Sequence, residues 1–386
     1  MMGAQPLVNV LVCGDYMQLQ LIPELAKRVQ IGRVYYAVRR SRDAAALGLR
    51  PQQAVNVFVK EYLVQAHARY LNHYQCNRIY PWYDCLWEQV ALARWQRCDL
   101  LHAVLHGNSR RLIEKARATG SRVLGHPVNS HPLYFNRIVQ EEQARLGLPV
   151  EAVRGPERTL AEIELCDHLF CLSKFVKDSY VANGFPADRI SVIHLPIYTQ
   201  NFAPQSEPPS MSPFRVVCVG QVSPRKGQLY LLEAWKQLKL PNAELVIVGI
   251  VHPDMNRLLA PYQGLFRHVP HISQAGLAQL FRSSSLCVLP SLEDGFGLVV
   301  TEALTCGTPV LVTESVGSAD FVQPGGNGYV VKPRDVDAIR EAIGRLYRSE
   351  DERARLRAGA LKSAAALPTL SDACDQLAGL YRKMVA

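Results

Sequence analysis

Two short stretches place charged side chains directly after apolar runs, where a chain can do chemistry. In VCVGQVSPRKGQLYLLEAW (Val217 to Trp235) an apolar run stops at Gly220. Arg225 and Lys226 then stand in a Pro- and Gly-containing loop, just before a stretch with apolar residues at helical spacing. Two cations beside a helix start, with its free N–H groups and positive dipole, suit a diphosphate. In PSLEDGFGLVVTEALTCGTPVLVT (Pro290 to Thr313) the acids Glu293, Asp294 and Glu302 stand in an otherwise apolar segment beside Gly295, Gly297 and Gly307. This spacing puts Asp294 in a loop and Glu302 about one turn into the following helix, which Gly307 closes. Carboxylates accept paired hydrogen bonds from vicinal hydroxyls, the groups a sugar ring or a ribose offers. Glycines at 295 and 297 let the backbone approach a ligand closely and start the helix there. An exposed helix face is the competing reading for Glu302, because burial without a partner is costly. A third stretch, VGSADFVQPGGNGYVVKP, carries glycines at 317, 325, 326 and 328 and reads as a loop-strand connection near the same place.

The elements that must position these residues are short β-branched runs alternating with helical patterns, the signature of βαβ units and parallel sheets. The first half supplies VNVLVC, RVYYAV, DLLHAVL, SRVLGHP, DHLFCLS and RISVIHL; the second supplies FRVVCVG, AELVIVG, SSLCVLP, TPVLVT and GYVVKP. Continuous Val/Ile/Leu strands of this kind are buried on both faces. Between the halves lies APQSEPPSMSP, Ala203 to Pro213, the clearest linker and a stiff one. The expected architecture is α/β: two Rossmann-like, doubly wound parallel-sheet domains facing each other across a cleft, with ligands at the carboxyl ends of the strands. The expected domains are residues 1–205, residues 206–368, and a C-terminal amphipathic helix over 369–386 that returns to the first domain.

A length of 386 residues exceeds what one core usually supports, which fits two domains. The N-terminus has no basic region before an apolar stretch, and no apolar run approaches 18 residues. Ten cysteines are scattered singly, several inside strand-like runs (Cys13, Cys171, Cys218, Cys287). No CxxC pair or Cys/His ligand spacing appears, so reduced core thiols, no bound metal and a cytoplasmic location are expected. Residues 1–200 carry 24 Lys and Arg against 17 Asp and Glu, so most of the net charge of +9 sits in the first half. RVYYAVRRSR and the Arg110/Arg111 pair could meet an anionic partner such as a phospholipid surface at the inner face of the membrane; solvated helix faces are the competing reading. No nucleic-acid partner is expected, since basic and aromatic residues do not interleave. No GxGxxG follows the first strand, which disfavours a dinucleotide-dependent dehydrogenase.

In order and in spacing, VGQVSPRKG, PSLEDGFG, TEALTCGTPVLVT and GNGYVVKPRD resemble the retaining nucleotide-sugar glycosyltransferases of family 4, which have the GT-B architecture. The resemblance extends over Glu157 to Phe202 and is thin before that. It implies that Glu302 holds the nucleotide ribose hydroxyls, and that the acid close to the donor sugar is Asp294, where the family usually has Glu, with Glu293 as a substitute. Gly295, Phe296, Gly297 and Leu298 would bring backbone amides to the sugar and phosphate. Lys226 would bind the diphosphate and stabilise the leaving group without a metal. After Gly220 the family's phosphate-binding Arg is replaced by Gln221, which leaves Arg225 as a stand-in. His271 falls near where the family holds the base. The family's Gly-x-Asp appears as Pro196, Ile197 and Tyr198.

On the acceptor side the resemblance implies a first-domain histidine after a strand: His126 first, His131 second. Gly14 is all that stands where the family has a glycine-rich loop. Ser173 and Lys174, ending a strand, would face the cleft, and His102 belongs to core or cleft lining. The implied reaction moves a sugar from a nucleoside diphosphate sugar to a hydroxyl of a saccharide, glycolipid or other lipid-linked acceptor, with retention and with no cofactor. A catalytically degenerate binding or scaffold protein, and a nucleotide-sugar epimerase on the same fold, are the alternatives.

Overall fold

The computed structural model describes residues 5–14, 18–38, 44–68, 70, 73–150, 156–194, 202–204 and 213–386. The 205/206 boundary, most of the Ala203–Pro213 linker, and Pro196, Ile197 and Tyr198 lie outside them. The strands of the first half are β1 (Leu7–Val12), β2 (Gln30–Tyr36), β3 (Ala54–Asn56), β4 (Leu100–Leu105), β5 (Arg122–Pro127), β6 (His168–Cys171) and β7 (Ile190–Val192). Those of the second half are β8 (Phe214–Val219), β9 (Ala243–Val248), β10 (Arg267–Val269), β11 (Leu286–Leu289), β12 (Val310–Thr313) and β13 (Gly328–Val331), and all but β3 and β10 come from the apolar runs.

The strands assemble into two parallel sheets, ordered β3-β2-β1-β4-β5-β6-β7 and β10-β9-β8-β11-β12-β13. Each is buried on both faces, as the unbroken Val/Ile/Leu runs require, and each has apolar clusters above and below it. Strand order reverses between β1 and β4 in one sheet and between β8 and β11 in the other. At such a switch point the loops that follow the two central strands diverge and leave a crevice. The nine thiols with described surroundings are all free, and eight of them are buried.

The two sheet-bearing lobes meet along a polar seam. The carboxylate of Glu142, on the Pro132–Arg145 helix, accepts hydrogen bonds from Tyr230 Oη at 2.7 Å and Arg334 Nε at 2.9 Å, both from the second lobe. Asp320 of the second lobe accepts from Lys174 N and pairs with His194 Nε2, both at 2.9 Å. The last helix, Leu370–Val385, packs not on the sheet nearest in sequence but on the first lobe. Its Ala373, Cys374, Leu377 and Tyr381 join Leu19, Ile22 and Leu25 of the Gln18–Leu25 helix in one buried cluster. Arg28 and Asp375 bond across the same contact. A reciprocal Thr369/Asp372 cap starts this helix.

Candidate functional site

The crevice of the second sheet holds a cavity of about 320 Å³. Its floor is the loops after β8 and β11, tied together by a hydrogen bond from Leu292 N to Arg225 O at 2.9 Å. Gly220, Gln221, Lys226, Asp294, Phe296, Gly297 and Leu298 line it from the second lobe, and Gln18, Val128 and Leu172 close it from the first. Seven residues separated by up to 78 positions therefore converge because the switch point brings the ends of β8 and β11 side by side.

Lys226 Nζ is ion-paired to Asp294 Oδ2, and both side chains are mostly buried. Burial works against ionisation of Asp294. The Lys226 and Arg225 cations and the Phe296 N–H outweigh it and hold the carboxyl below its usual range. Among the described residues Lys226 is the one cation lining this cavity. Glu302 lies one turn along the Leu298–Thr305 helix. No hydrogen-bond partner meets its carboxylate among the described residues, and burial pushes it up to about 7. It is thus an acceptor held ready in a low-dielectric place, not an exposed helix residue.

Glu293 and Asp294 are neighbours with opposite duties. In an extended segment consecutive side chains point to opposite sides; Asp294 faces the cavity, and Glu293 is wholly buried in the seam. Glu293 accepts from Ser130 N of the first lobe at 3.0 Å and pairs with Arg225 at 2.9 Å. This corrects two expectations at once. Glu293 does not substitute for Asp294, and Arg225, which also lies over the Phe135 ring, is turned to Glu293 and does not line the cavity.

Of the two glycines, Gly297 starts the helix as expected, and Gly295 differs from expectation in its purpose. A Cβ on Gly295 would come within 2.2 Å of Val128 O, so this residue is small because the first lobe's backbone presses on it, not because a ligand does. Its carbonyl accepts from Ser173 Oγ at 2.9 Å. Gly297 has φ of 75°, a left-handed conformation that starts the Leu298–Thr305 helix. Phe296 is buried across the seam in the first lobe's apolar cluster, edge-on to Phe321.

The first-lobe expectations fare differently. His126 is fully buried at the end of β5 and does not line the cavity. Its Nδ1 lies 3.1 Å from His102 Nε2 and its Nε2 lies 3.3 Å from Gln18 Nε2. His131 is the buried N-cap of the Pro132–Arg145 helix, edge-on to Tyr180. Ser173 is likewise a buried N-cap, accepting from Val176 N, and the Lys174 side chain is exposed. Gly14 ends the strand region after β1 without lining the cavity, and His271, on the loop after edge strand β10, is exposed with Nδ1 against Ile272 O. Sequence reasoning missed Gln18, Val128 and Leu172, each standing after a first-sheet strand. It also missed Gln228, whose amide bonds Gln221 O and Ser223 N and so shapes the loop after β8. The rule that ligands gather at strand ends, applied to β1 and β5 without asking for glycine, would have reached Gln18 and Val128.

Comparison with known proteins bears on the fold and the family. Residues 199–363 match the family model of the group 1 glycosyl transferases. A D-inositol 3-phosphate glycosyltransferase of Mycobacterium avium is 32% identical over 179 residues, spanning 44% of this chain and 42% of the relative. D-inositol 3-phosphate glycosyltransferase 1 of Catenulispora acidiphila is 27% identical over 312 residues, 74% of this chain and 72% of the relative. The chain thus spans well under two thirds of the length of the first of these relatives. Sucrose-phosphate synthase from Thermosynechococcus elongatus superposes with a TM-score of 0.74 at 20% identity, over 98% of this chain and 99% of that one. HepE from Anabaena, solved with UDP and glucose, gives 0.64 at 16% identity, over 98% of this chain and 100% of that one. The architecture is GT-B.

Proposed function

We propose, for a chain whose residues 199–363 match the family model of the group 1 glycosyl transferases and whose two sheets form the GT-B architecture, that it transfers a sugar from a nucleoside diphosphate sugar to an acceptor hydroxyl. The observation that carries the reading is one cavity at the switch point of the second sheet, lined by the Lys226–Asp294 pair and by the start of the helix that carries Glu302 one turn on, outside the lining itself. Glu302 accepts from the ribose diol. Lys226 leaves Asp294 for the diphosphate, and Asp294 turns to a sugar hydroxyl.

In the transfer step the bond from the anomeric carbon to the phosphate oxygen breaks, and the acceptor oxygen bonds to that carbon on the same face. The acceptor proton passes to the departing phosphate, and Lys226 stabilises the charge that develops there. Configuration is retained, no protein base is required, and the lysine does the work a metal ion would otherwise do. The first-lobe wall excludes water and so limits hydrolysis. The basic first lobe suits an anionic acceptor, such as a lipid-linked saccharide; salt-sensitive binding to anionic vesicles supports that choice, and binding indifferent to salt counts against it. No helix among the described residues is long and apolar enough to cross a membrane.

A panel of nucleotide sugars, with and without EDTA, scored by thermal shift and nucleoside diphosphate release, tests the reading. A donor that stabilises the protein, survives EDTA and loses its effect in Glu302→Ala is the expected result. No shift and no turnover with any donor would instead favour a binding or scaffold protein, the reading to which Gln221, standing where the family has a cation, already points.

A further inference from the structure

A line of four side chains crosses the first lobe from its outer helix to the cavity. Tyr381 Oη lies 2.7 Å from His102 Nδ1, His102 Nε2 lies 3.1 Å from His126 Nδ1, and His126 Nε2 lies 3.3 Å from the Gln18 amide. All four are at most 4% exposed. The two imidazoles stack with centroids 5.3 Å apart against Phe170. Burial pushes His102 down to about 3 and His126 well below its usual range, so both rings are neutral.

A neutral imidazole has one donor and one acceptor nitrogen, so the three hydrogen bonds share one direction along the line. Either Tyr381 donates at one end and the Gln18 carbonyl accepts at the other, or the Gln18 amide donates and Tyr381 accepts. In both cases one polar end of the amide is used up and the other is left over. As placed, Gln18 Oε1 is that end, buried and without a partner among the described residues, on a side chain that lines the cavity. A buried polar atom in this state calls for a ligand group.

We infer that Gln18 is a specificity-determining residue that bonds a ring hydroxyl of the transferred sugar, and that His126, His102 and Tyr381 are positioning residues that hold its amide. The inference rests on the reading above, in which the sugar sits against Asp294; Gln18 stands on the facing wall. A hydroxyl both donates and accepts, so it satisfies the free end of the amide whichever direction the line takes. A sugar lacking that hydroxyl leaves the amide end orphaned, which is how a buried polar site rejects a deoxy analogue. His126, expected to act on the acceptor side, acts here through Gln18.

The test uses the full chain and UDP-glucose, or whichever sugar nucleotide the panel returns, with its monodeoxy forms and the nucleoside diphosphate alone. Wild type is expected to bind the parent about tenfold more tightly than one monodeoxy form. In Gln18→Leu, checked for an unchanged melting profile, that preference falls to within about twofold while nucleoside diphosphate binding stays the same. Tyr381→Phe keeps Gln18 but removes the far end of the line, and it lowers the same preference part of the way. An unchanged preference for every monodeoxy form in Gln18→Leu overturns the inference, as does weakened binding of the nucleoside diphosphate itself. A preference lost only among deoxy acceptors overturns it as well. If wild type binds no sugar nucleotide, the donor reading fails first and this inference falls with it.

Discussion

Glu302 is a carboxyl that burial makes reluctant to ionise, up to about 7, with no hydrogen bond among the described residues to favour its charge. Its folded-state value lies above the unfolded one, so the unfolded chain releases this proton first. The group's contribution to stability is therefore full below about 4.5 and is lost as pH rises through about 7. Two hydroxyls donated by a ribose would favour the ionised form. Binding of a sugar nucleotide, whose diester phosphates stay ionised, is expected to strengthen as pH rises through 7 and to release up to about one proton near that pH. Titration calorimetry in buffers of different ionisation enthalpy measures this release, and Glu302→Gln should abolish it; release unaffected by that change would mean another group titrates. The placement of Lys226 and Asp294 in the loops after two apolar strands, and of Glu302 one turn into the helix that follows, was legible in the sequence because the strands and the glycines mark those loops. The partition between Glu293 and Asp294 could not, since it depends on which side of an extended loop faces the other lobe, and Ser130, the partner that decides it, is 163 positions away.

Between β11 and its helix the chain must turn close to Asp294, and Gly297, three residues on, makes the turn with φ of 75°. A side chain there costs about 1–2 kcal/mol of backbone strain. Its Cβ would also lie 2.9 Å from Leu289 Cδ2 and Val316 Cγ1, both core atoms. Gly297→Ala is expected to lower unfolding free energy by about 2 kcal/mol and to weaken nucleotide binding, because the helix start carrying Leu298 and Glu302 shifts. Chemical denaturation with a parallel binding assay checks both; a full-strength binder of normal stability would show that the turn is not needed. The long strands were legible from their unbroken apolar runs. β3 and β10 were not, being three-residue edge strands, Ala54–Asn56 and Arg267–Val269, whose sequences AVN and RHV have no run to recognise. Edge strands need only one neighbour, so the sequence has little reason to mark them.

Across the whole molecule, two carboxylates are enclosed in the seam, Glu293 and Glu142, and the second, 1% exposed, is shared by Tyr230 and Arg334. Glu142→Ala removes the carboxylate that Arg334 and Tyr230 share and leaves Arg334, 22% exposed, only its longer pair with Glu141 at 3.6 Å, at a cost of about 2 kcal/mol to the closed form. Small-angle scattering of the variant without ligand should show a larger radius of gyration that a donor partly reverses. An unchanged radius would mean that the Glu293, Ser173 and Asp320 contacts suffice to hold the lobes together. That two lobes exist was legible from the strand pattern. How they touch was not, because every seam contact joins residues far apart in sequence. The return of Leu370–Val385 to the Gln18–Leu25 helix sets an order of events on the ribosome. At roughly 5–20 residues per second, about 17–70 s pass between the synthesis of that early helix and of its partner. Until then the apolar face of Leu19, Ile22 and Leu25 has no cover from that partner, and the lobe begun first is the lobe finished last.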